Sequence, residues 1–363
     1  MTTDEDEDLN SARAPSPSGT LRDHPPERQR GTLWRAGALA LCLLVAVVAS
    51  LSVGRYPVGL GAVLGMVFDH VPFLDTHFTS TDQTVLVDIR LPRVLCGISV
   101  GAGLAAAGAG YQTIFRNPLV SPHILGVSAG AGFGAALSLL LGLPYWQTET
   151  LAFAGGLAAA GLSVAVGRAV GRDSSVVLVL GGMVIGAVFA ALISVTEYLA
   201  NPDDTLPAIT FWLMGGLGRQ QLSGLVAPMA IIAVSVAALY TVRWPITVLA
   251  TGDEDVRTLG IDTGRIWAVV VVACTLITAT TVSLAGVVGW VGLLVPHMAR
   301  AVVGPSFGRL LIASAVLGAA FLLAVDDVAR TLTPTEIPLG ILTALIGAPF
   351  FIVVLTKVRR QWV

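Results

Sequence analysis

Long apolar segments, separated by short polar turns, recur from residue 34 to residue 356 of this chain. Several of them approach the roughly 20 apolar residues that an α-helix needs to cross a hydrocarbon core of about 30 Å. Charged residues make up only 12% of the sequence, whereas a soluble globular domain carries roughly 25%. Because lipid offers backbone groups no hydrogen-bond partner, the sequence predicts an all-α protein that crosses the membrane repeatedly.

About ten membrane spans account for these segments, and the eighth is short and carries Pro296. When the ten spans alternate across the bilayer, most arginines fall in loops on one side, which the positive-inside rule assigns to the cytoplasm. Both termini are therefore predicted to be cytoplasmic. The predicted spans are 34–53, 92–115, 123–143, 151–170, 176–200, 222–240, 266–288, 290–303, 310–325 and 339–356.

Residues 1–33 differ in composition from the rest of the chain. They are polar, acidic from Asp4 to Asp8, and rich in proline and serine. Such a segment has too little apolar surface to bury a core, so it is predicted to be a disordered, acidic cytoplasmic tail. Residues 34–363 are predicted to form one transmembrane domain.

Glycine is frequent within the predicted spans. Pairs four residues apart, such as Gly97 and Gly101, allow helix backbones to approach closely and predict a tightly packed bundle. A Pro-His pair opens the third span at 122–123, and another lies within the eighth at 296–297. The two pairs have opposite orientations in the predicted topology, which suggests two related four-span halves.

Several function classes are disfavoured by what the sequence lacks. Its single lysine, Lys357, does not follow the glycine-rich turn of a phosphate-binding P-loop, so ATP-driven work requires another chain. The three cysteines fall inside apolar spans without paired spacing, and no metal site is predicted. No ionisable residue lies clearly in the middle of a span, which disfavours an ion-coupled secondary transporter but leaves it as the alternative.

Residues 90–134 carry the most distinctive pattern, with RLPR at their start and the turn RNPL between two spans rich in small residues. This chain resembles the FecCD-type permease subunits of the ABC importers for iron-siderophores, haem and cobalamin. The resemblance covers roughly residues 34–356. Its best segments are 90–134, 250–260 and 284–351.

The resemblance implies a permease of an ATP-driven importer in the bacterial plasma membrane, not an enzyme. Its implied partners are a second permease copy or a paralogue, two ATPase subunits, and an extracellular substrate-binding protein. ATP and magnesium would be used by the ATPase, so no cofactor is expected in this chain. Ferric siderophore is the expected cargo because iron chelates are the commonest cargo of such permeases, with haem and cobalamin as alternatives.

Three of the arginines on the predicted outer side are candidate site residues: Arg90 and Arg93 in RLPR, and Arg330 just beyond the ninth span. From the residues alone they are interfacial anchors or local ion pairs, since Asp326 and Arg330 share a helical face. The resemblance implies instead that the three arginines receive glutamates of the substrate-binding protein, with charge-assisted bidentate pairing.

The longest cytoplasmic loop contains an acid-rich segment that suits the positive end of a helix dipole, so a short helix is predicted there. By itself this is an ordinary solvated helix. The resemblance implies that it couples the permease to the ATPase. The coupling residues are then Ala250, Gly252, Asp253, Glu254, Asp255, Val256, Leu259 and Gly260.

Two cytoplasmic turns complete the candidate residues. Asn117 and Leu119 follow the second span, and Ser174 and Ser175 precede the fifth. Taken alone, both segments carry ordinary turn signals. The resemblance implies that they constrict the cytoplasmic mouth of a translocation pathway.

Overall fold

The membrane-protein architecture is all helical in the part of the chain that the structure describes. The structure is a computed structural model, and each regular element in its described residues is a helix. This confirms the predicted all-α fold. The described residues are 26–56, 58–59, 61, 63, 65, 80–170, 175–250, 260 and 262–359.

We number the helices along the chain from α1 to α12. A helical turn at Ser80–Gln83 and a π-helical segment at Thr84–Arg90 lead into α2, and a 3-10 turn at Pro122–Leu125 leads into α3. The helices are α1 (Pro26–Ser52), α2 (Leu91–Ile114), α3 (Val127–Leu140), α4 (Tyr145–Val170), α5 (Ser175–Leu199), α6 (Thr205–Met214), α7 (Leu222–Thr241), α8 (Arg243–Leu249), α9 (Thr263–Ala285), α10 (Val291–Val303), α11 (Phe307–Thr331) and α12 (Leu339–Arg359).

Each predicted span overlaps one helix, and α6 and α8 are additional. Seven helices among the described residues are long and apolar enough to cross a membrane. The segments α3, α6, α10 and the described part of α12 are shorter apolar helices. The number of ten spans and the cytoplasmic position of both termini therefore stay predictions.

The first helix extends further toward the N-terminus than the predicted first span. It begins at Pro26, a residue suited to the first turn of a helix because it lacks an N–H donor. Residues 26–33, which the sequence assigns to the acidic tail, are thus helical. Residues 1–25 of that predicted tail lie outside the described residues.

Three helices form the buried centre of the chain. Most of the apolar stretch of α2 and of α9 is buried, and so is more than half of that of α11. The apolar stretches of α1, α5 and α7 are largely uncovered. A single chain therefore leaves long apolar helix faces for lipid or for another subunit.

Glycines bring the central helices into backbone contact. A Cβ atom placed on Gly101 of α2 would lie 2.3 Å from the carbonyl oxygen of Gly318 in α11. The same distance separates a Cβ on Gly130 of α3 from the carbonyl oxygen of Gly155 in α4. These contacts confirm the tight packing predicted from in-span glycines.

Non-helical backbone near the ends of α6, α9 and α12 is satisfied by hydrogen bonds between these segments. The N–H of Gly216 donates to the carbonyl oxygen of Ala285 at 2.8 Å, and the N–H of Leu339 donates to that of Gly215 at 3.1 Å. Because lipid cannot satisfy exposed peptide groups, such mutual pairing allows irregular backbone within a bundle.

The α2–α11 contact predicts a strongly position-dependent effect of adding one methyl group. G101A places its Cβ against backbone that cannot move aside, so the free energy of unfolding should fall by about 1–3 kcal/mol. G161A in α4 is the matched control, because a Cβ there meets nothing within 4 Å, and its change should stay within about 0.5 kcal/mol. Unfolding of the detergent-solubilised variants measures both, and equal stability would contradict the proposed backbone contact.

Candidate functional site

The three outer arginines of the sequence prediction lie together in one ionic cluster. Arg90 ends the π-helical segment and Arg93 lies in the first turn of α2, while Arg330 lies in the last turn of α11. The close contact between α2 and α11 holds these helix ends side by side. The outer ionic cluster consists of Arg90, Arg93, Asp326, Asp327, Arg330 and Glu336.

Arg93 bridges two carboxylates with its guanidinium. Its Nε lies 2.9 Å from Oδ2 of Asp326, and its Nη2 lies 2.9 Å from Oδ1 of the same carboxylate. On the other edge, Nη1 and Nη2 donate to the two oxygens of Glu336 at 2.9 and 3.0 Å. Two bidentate pairs fix the plane of the guanidinium, which a lysine could not reproduce.

Arg330 ties α11 to the end of α1. Its Nη2 donates to Asp327, to the backbone carbonyl oxygen of Ser50 and, at 3.1 Å, to the Ser50 hydroxyl. Its Nε lies 3.7 Å from Oδ2 of Asp326. This is the local ion pair that the four-residue spacing predicts.

Arg90 caps the end of α1. Its guanidinium donates to the backbone carbonyl oxygens of Leu51, of Ser52 at 2.9 Å, and of Tyr56. The last carbonyl groups of a helix have no partner within the helix, so a buried cation is well placed to satisfy them.

The cluster balances three positive against three negative side chains, and most of them are enclosed. Arg90 and Arg330 are 4% and 6% exposed, and Asp326 is 1% exposed. Glu336 is the open member, with 47% of its side chain accessible. Hydrogen bonds from Arg93 hold the pKa of the Glu336 carboxyl below its ordinary value. A partner approaching this face therefore meets Glu336 and the edge of Arg93, and the docking role of the three arginines stays a prediction.

The carboxylates of the cluster were largely absent from the sequence prediction. Asp327 could have been found from its three-residue spacing to Arg330 on α11. Glu336 lies beyond the helix end, and no local spacing connects it to Arg93. Only the packing of α2 against α11 brings that pair together.

On the predicted cytoplasmic side, Arg116 connects two turns. It has a positive φ of 49°, and its Nε and Nη2 donate to the carbonyl oxygen of Leu249 at 3.0 and 2.7 Å. Leu249 ends α8, immediately before the predicted coupling segment. The turn that carries the predicted gate is thereby attached to the start of that segment.

The gate residues occupy a compact turn after α2. The side-chain oxygen of Asn117 accepts the backbone N–H of Leu119 at 2.9 Å, and the Leu119 side chain is exposed. Ser175 begins α5, and Ser174 lies outside the described residues. An exposed apolar side chain on this turn can contact a facing subunit, and the gating role of Asn117 and Leu119 stays a prediction.

Only the two ends of the predicted coupling segment are described. Ala250 follows α8 and donates its N–H to the carbonyl oxygen of Ile246 at 3.1 Å, while Gly260 has a positive φ of 67°. The remaining coupling residues lie outside the described residues: Gly252, Asp253, Glu254, Asp255, Val256 and Leu259.

One face of α5 is uncovered in the single chain. Its exposed side chains recur every three or four residues, as residues on one side of a helix do. They include Val176, Leu180, Met183, Val184, Val188, Leu192 and Val195. This apolar face is suited to lipid, to a second permease subunit or to an apolar pathway between two subunits.

Residues 42–357 match the FecCD transport family. The molybdate import system permease protein of Haemophilus influenzae is 35% identical over 323 residues, which are 89% of this chain and 95% of that protein. A protein of Helicobacter pylori named for iron chelatin transport is 36% identical over 287 residues, which are 79% and 87% of the two chains. The cobalamin import system permease protein of Halobacterium salinarum is 41% identical over 277 residues, 76% and 74% of the two chains.

Among solved structures, the chain is similar to an ABC transporter assigned to the metal-chelate type and captured in an inward-facing conformation. The TM-score is 0.79 with 34% sequence identity, and the match covers 90% of this chain and 99% of that one. The similarity thus extends over the whole bundle rather than over a few helices.

The enclosed carboxylate at the centre of the ionic cluster predicts a large effect of a nearly isosteric change. D326N removes the charge that Arg93 and Arg330 share, and breaking a buried ion pair should lower the free energy of unfolding by about 3 kcal/mol. D262N is the control, because Asp262 forms an exposed pair with Arg265 and should cost less than about 1 kcal/mol. Unfolding in detergent distinguishes the two variants, and a similar loss in both would show that the cluster does not stabilise the fold.

Proposed function

The chain belongs to the FecCD transport family and is the permease subunit of an ABC importer; we propose that it passes a ferric siderophore across the bacterial plasma membrane. The observation that carries the assignment to importers is the match over residues 42–357. Permeases of this family are transport subunits without catalytic activity of their own. The relatives are named for the import of molybdate, an iron chelate or cobalamin. The ferric siderophore as cargo is therefore our proposal.

The uncovered face of α5 supports an organic chelate as cargo. Between Ser175 and Leu199 the helix carries one charged residue, Glu197, close to its end. A small bare oxyanion would lose its hydration along such a surface without charged partners in return, which is costly. A siderophore encloses its ion in an organic shell, and so do haem and cobalamin, which remain the alternative cargoes.

The working assembly contains two permease subunits, either two copies of this chain or this chain with a paralogue. Part of the exposed apolar face of α5 packs against the second subunit, and the rest lines a weakly binding pathway between the two subunits. Two cytoplasmic ATPase subunits bind ATP with magnesium, and an extracellular substrate-binding protein delivers the cargo. The length of uncovered apolar helix surface in the single chain supports such a pairing.

ATP-driven closure of the ATPase subunits moves the segment 250–260 and switches the pathway between its outward-facing and inward-facing states. The hydrogen bonds from Arg116 to the carbonyl oxygen of Leu249 offer a direct mechanical connection from that segment to the turn of Asn117 and Leu119. Movement of the coupling segment can therefore reach the gate through these two hydrogen bonds.

The substrate-binding protein docks on the outer ionic cluster. Arg93 is the member that can exchange a partner, because its bidentate bond to the exposed Glu336 can be replaced by a glutamate of the docking protein. Arg90 and Arg330 support this site from behind by fixing the ends of α1 and α11.

Substituting either Arg93 or Glu336, which form one ion pair, distinguishes a docking role of Arg93 from a purely structural one. R93E should weaken binding of the substrate-binding protein at least tenfold, because it places like charge opposite the incoming glutamate. E336Q removes the competing carboxylate and should leave docking unchanged or tighter, although it breaks the same internal pair. Binding to the purified permease–ATPase complex measures both effects, with intact assembly as the control for folding. Equal weakening by the two variants would assign Arg93 a structural role only.

Uptake in a strain that lacks the gene tests the cargo. Labelled ferric siderophores, haem, cobalamin and molybdate are offered in parallel, with the gene restored or with an empty vector. We expect the gene to restore uptake of a ferric siderophore in an ATP-dependent manner that resists uncouplers. Restoration of another cargo alone would contradict the siderophore, and uptake abolished by uncouplers while ATP is maintained would favour the ion-coupled alternative.

A further inference from the structure

An open cleft of about 300 Å³ lies between the end of α7, α8 and the start of α11. Two hydrogen bonds build its floor: the Thr247 hydroxyl donates to the carbonyl oxygen of Arg243 at 2.8 Å and accepts the N–H of Phe307 at 3.3 Å. The first turn of α11 is thereby attached to α8, so the cleft is a defined feature of the fold.

Two arginines, Arg243 and Arg309, line this cleft. A Cβ placed on Gly308 would lie 2.9 Å from Cδ of Arg243, so the aliphatic part of Arg243 passes directly over the start of α11. Its guanidinium carbon lies 4.2 Å from the centre of the Tyr240 ring, and its Nη1 donates to the Tyr240 carbonyl oxygen. Aromatic and backbone contacts therefore hold Arg243 over the start of α11, the helix that carries Arg309.

Within the described residues, no carboxylate neutralises the positive charge of the cleft. No described aspartate or glutamate lines the cleft, and neither arginine forms an ion pair with a carboxylate in that part of the protein. By contrast, Arg265, on the same predicted side of the membrane, pairs with Asp262. Two arginines that line one cleft and pair with no described carboxylate favour an anionic group with several oxygen acceptors, above all a phosphate.

The other walls indicate that this anion belongs to a lipid. Tyr240 and Trp244 line the cleft with exposed rings, and such amphipathic rings are typical of the membrane–water interface. Ile312, one turn further along α11 than Gly308 and thus nearer the bilayer interior in the predicted topology, is an exposed apolar wall. Charge at the interface with apolar surface beneath it matches a phospholipid headgroup and the start of its acyl chains.

We propose that the cleft of Arg243 and Arg309 is a binding site for the phosphate of an anionic phospholipid in the cytoplasmic leaflet. The site depends on the placement of the helices in the membrane and on no particular cargo, so it goes beyond the transport function proposed above. Basic pockets between transmembrane helices on the cytoplasmic side are suited to such headgroups. A lipid bound here would brace α8, which leads into the coupling segment.

The test measures lipid affinity of the full-length, detergent-solubilised permease by native mass spectrometry. Phosphatidylglycerol is added in increasing amounts to the unmodified permease and to R243Q/R309Q. Phosphatidylcholine is added to both in parallel. The control is R168Q/R265Q, which removes two exposed arginines from the same predicted side. We expect the cleft variant to lose phosphatidylglycerol affinity about 10- to 30-fold, since each basic residue near an anionic surface contributes severalfold, while the control changes less than about threefold.

A second variant keeps the charge and alters the geometry. G308A places a methyl group against the stem of Arg243, so it should weaken phosphatidylglycerol binding severalfold at unchanged net charge. Equal affinity in R243Q/R309Q and its control would overturn the proposal. Binding of inorganic phosphate without any binding of phosphatidylglycerol would also overturn it, because that result would indicate a site for free anions. Loss of the co-purifying ATPase with lipid affinity intact would instead identify the cleft as a protein contact.

Discussion

The approach of α2 to α11 at Gly101 and Gly318 determines much of the predicted outer half of this permease. Because the two backbones touch there, the helix ends beyond the contact lie close enough for side chains to meet directly. Arg93 at the start of α2 thus reaches Asp326 near the end of α11. The first helix is attached to both of them through its terminal carbonyl groups, so the glycine contact and these arginine bonds together set the relative positions of three helices.

Enclosing so many charges near a membrane surface has a chemical consequence. Each buried ion must keep a partner, since an unpaired charge in a medium of low polarity is far more costly than one in water. Asp326 serves two arginines at once, and the set is electrically neutral only as a whole. Glu336 is different because it is half exposed, and water can replace its contacts. The proposed exchange with a docking protein is therefore easiest at this carboxylate.

The sequence predicted the elements better than the contacts between them. Apolar runs of 15–25 residues located every long helix, whereas α6 and α8 are too short to stand out from turns by hydropathy. The pair of Asp326 and Arg330 was foreseeable because its spacing lies within one helix. The bonds from Arg116 to Leu249 were not foreseeable, because every residue type has a backbone carbonyl oxygen and the sequence therefore does not indicate which one accepts. The gate, the coupling segment and the cargo rest on family resemblance and stay predictions.

The peptide-to-peptide bonds among the ends of α6, α9 and α12 restrict the chain in a way that side chains do not. Gly216 with Ala285, and Leu339 with Gly215, are joined through main-chain atoms alone. Position 215 requires glycine, since its φ is positive and an added Cβ would lie 2.9 Å from the carbonyl oxygen of Ala285. A change in chain length would also break the pairing. One inserted residue would move every later donor past its acceptor. Epitope tags or cleavage sites for studying this permease thus belong in the turn around Gly142, where a Cβ meets nothing within 4 Å, rather than in these joined segments.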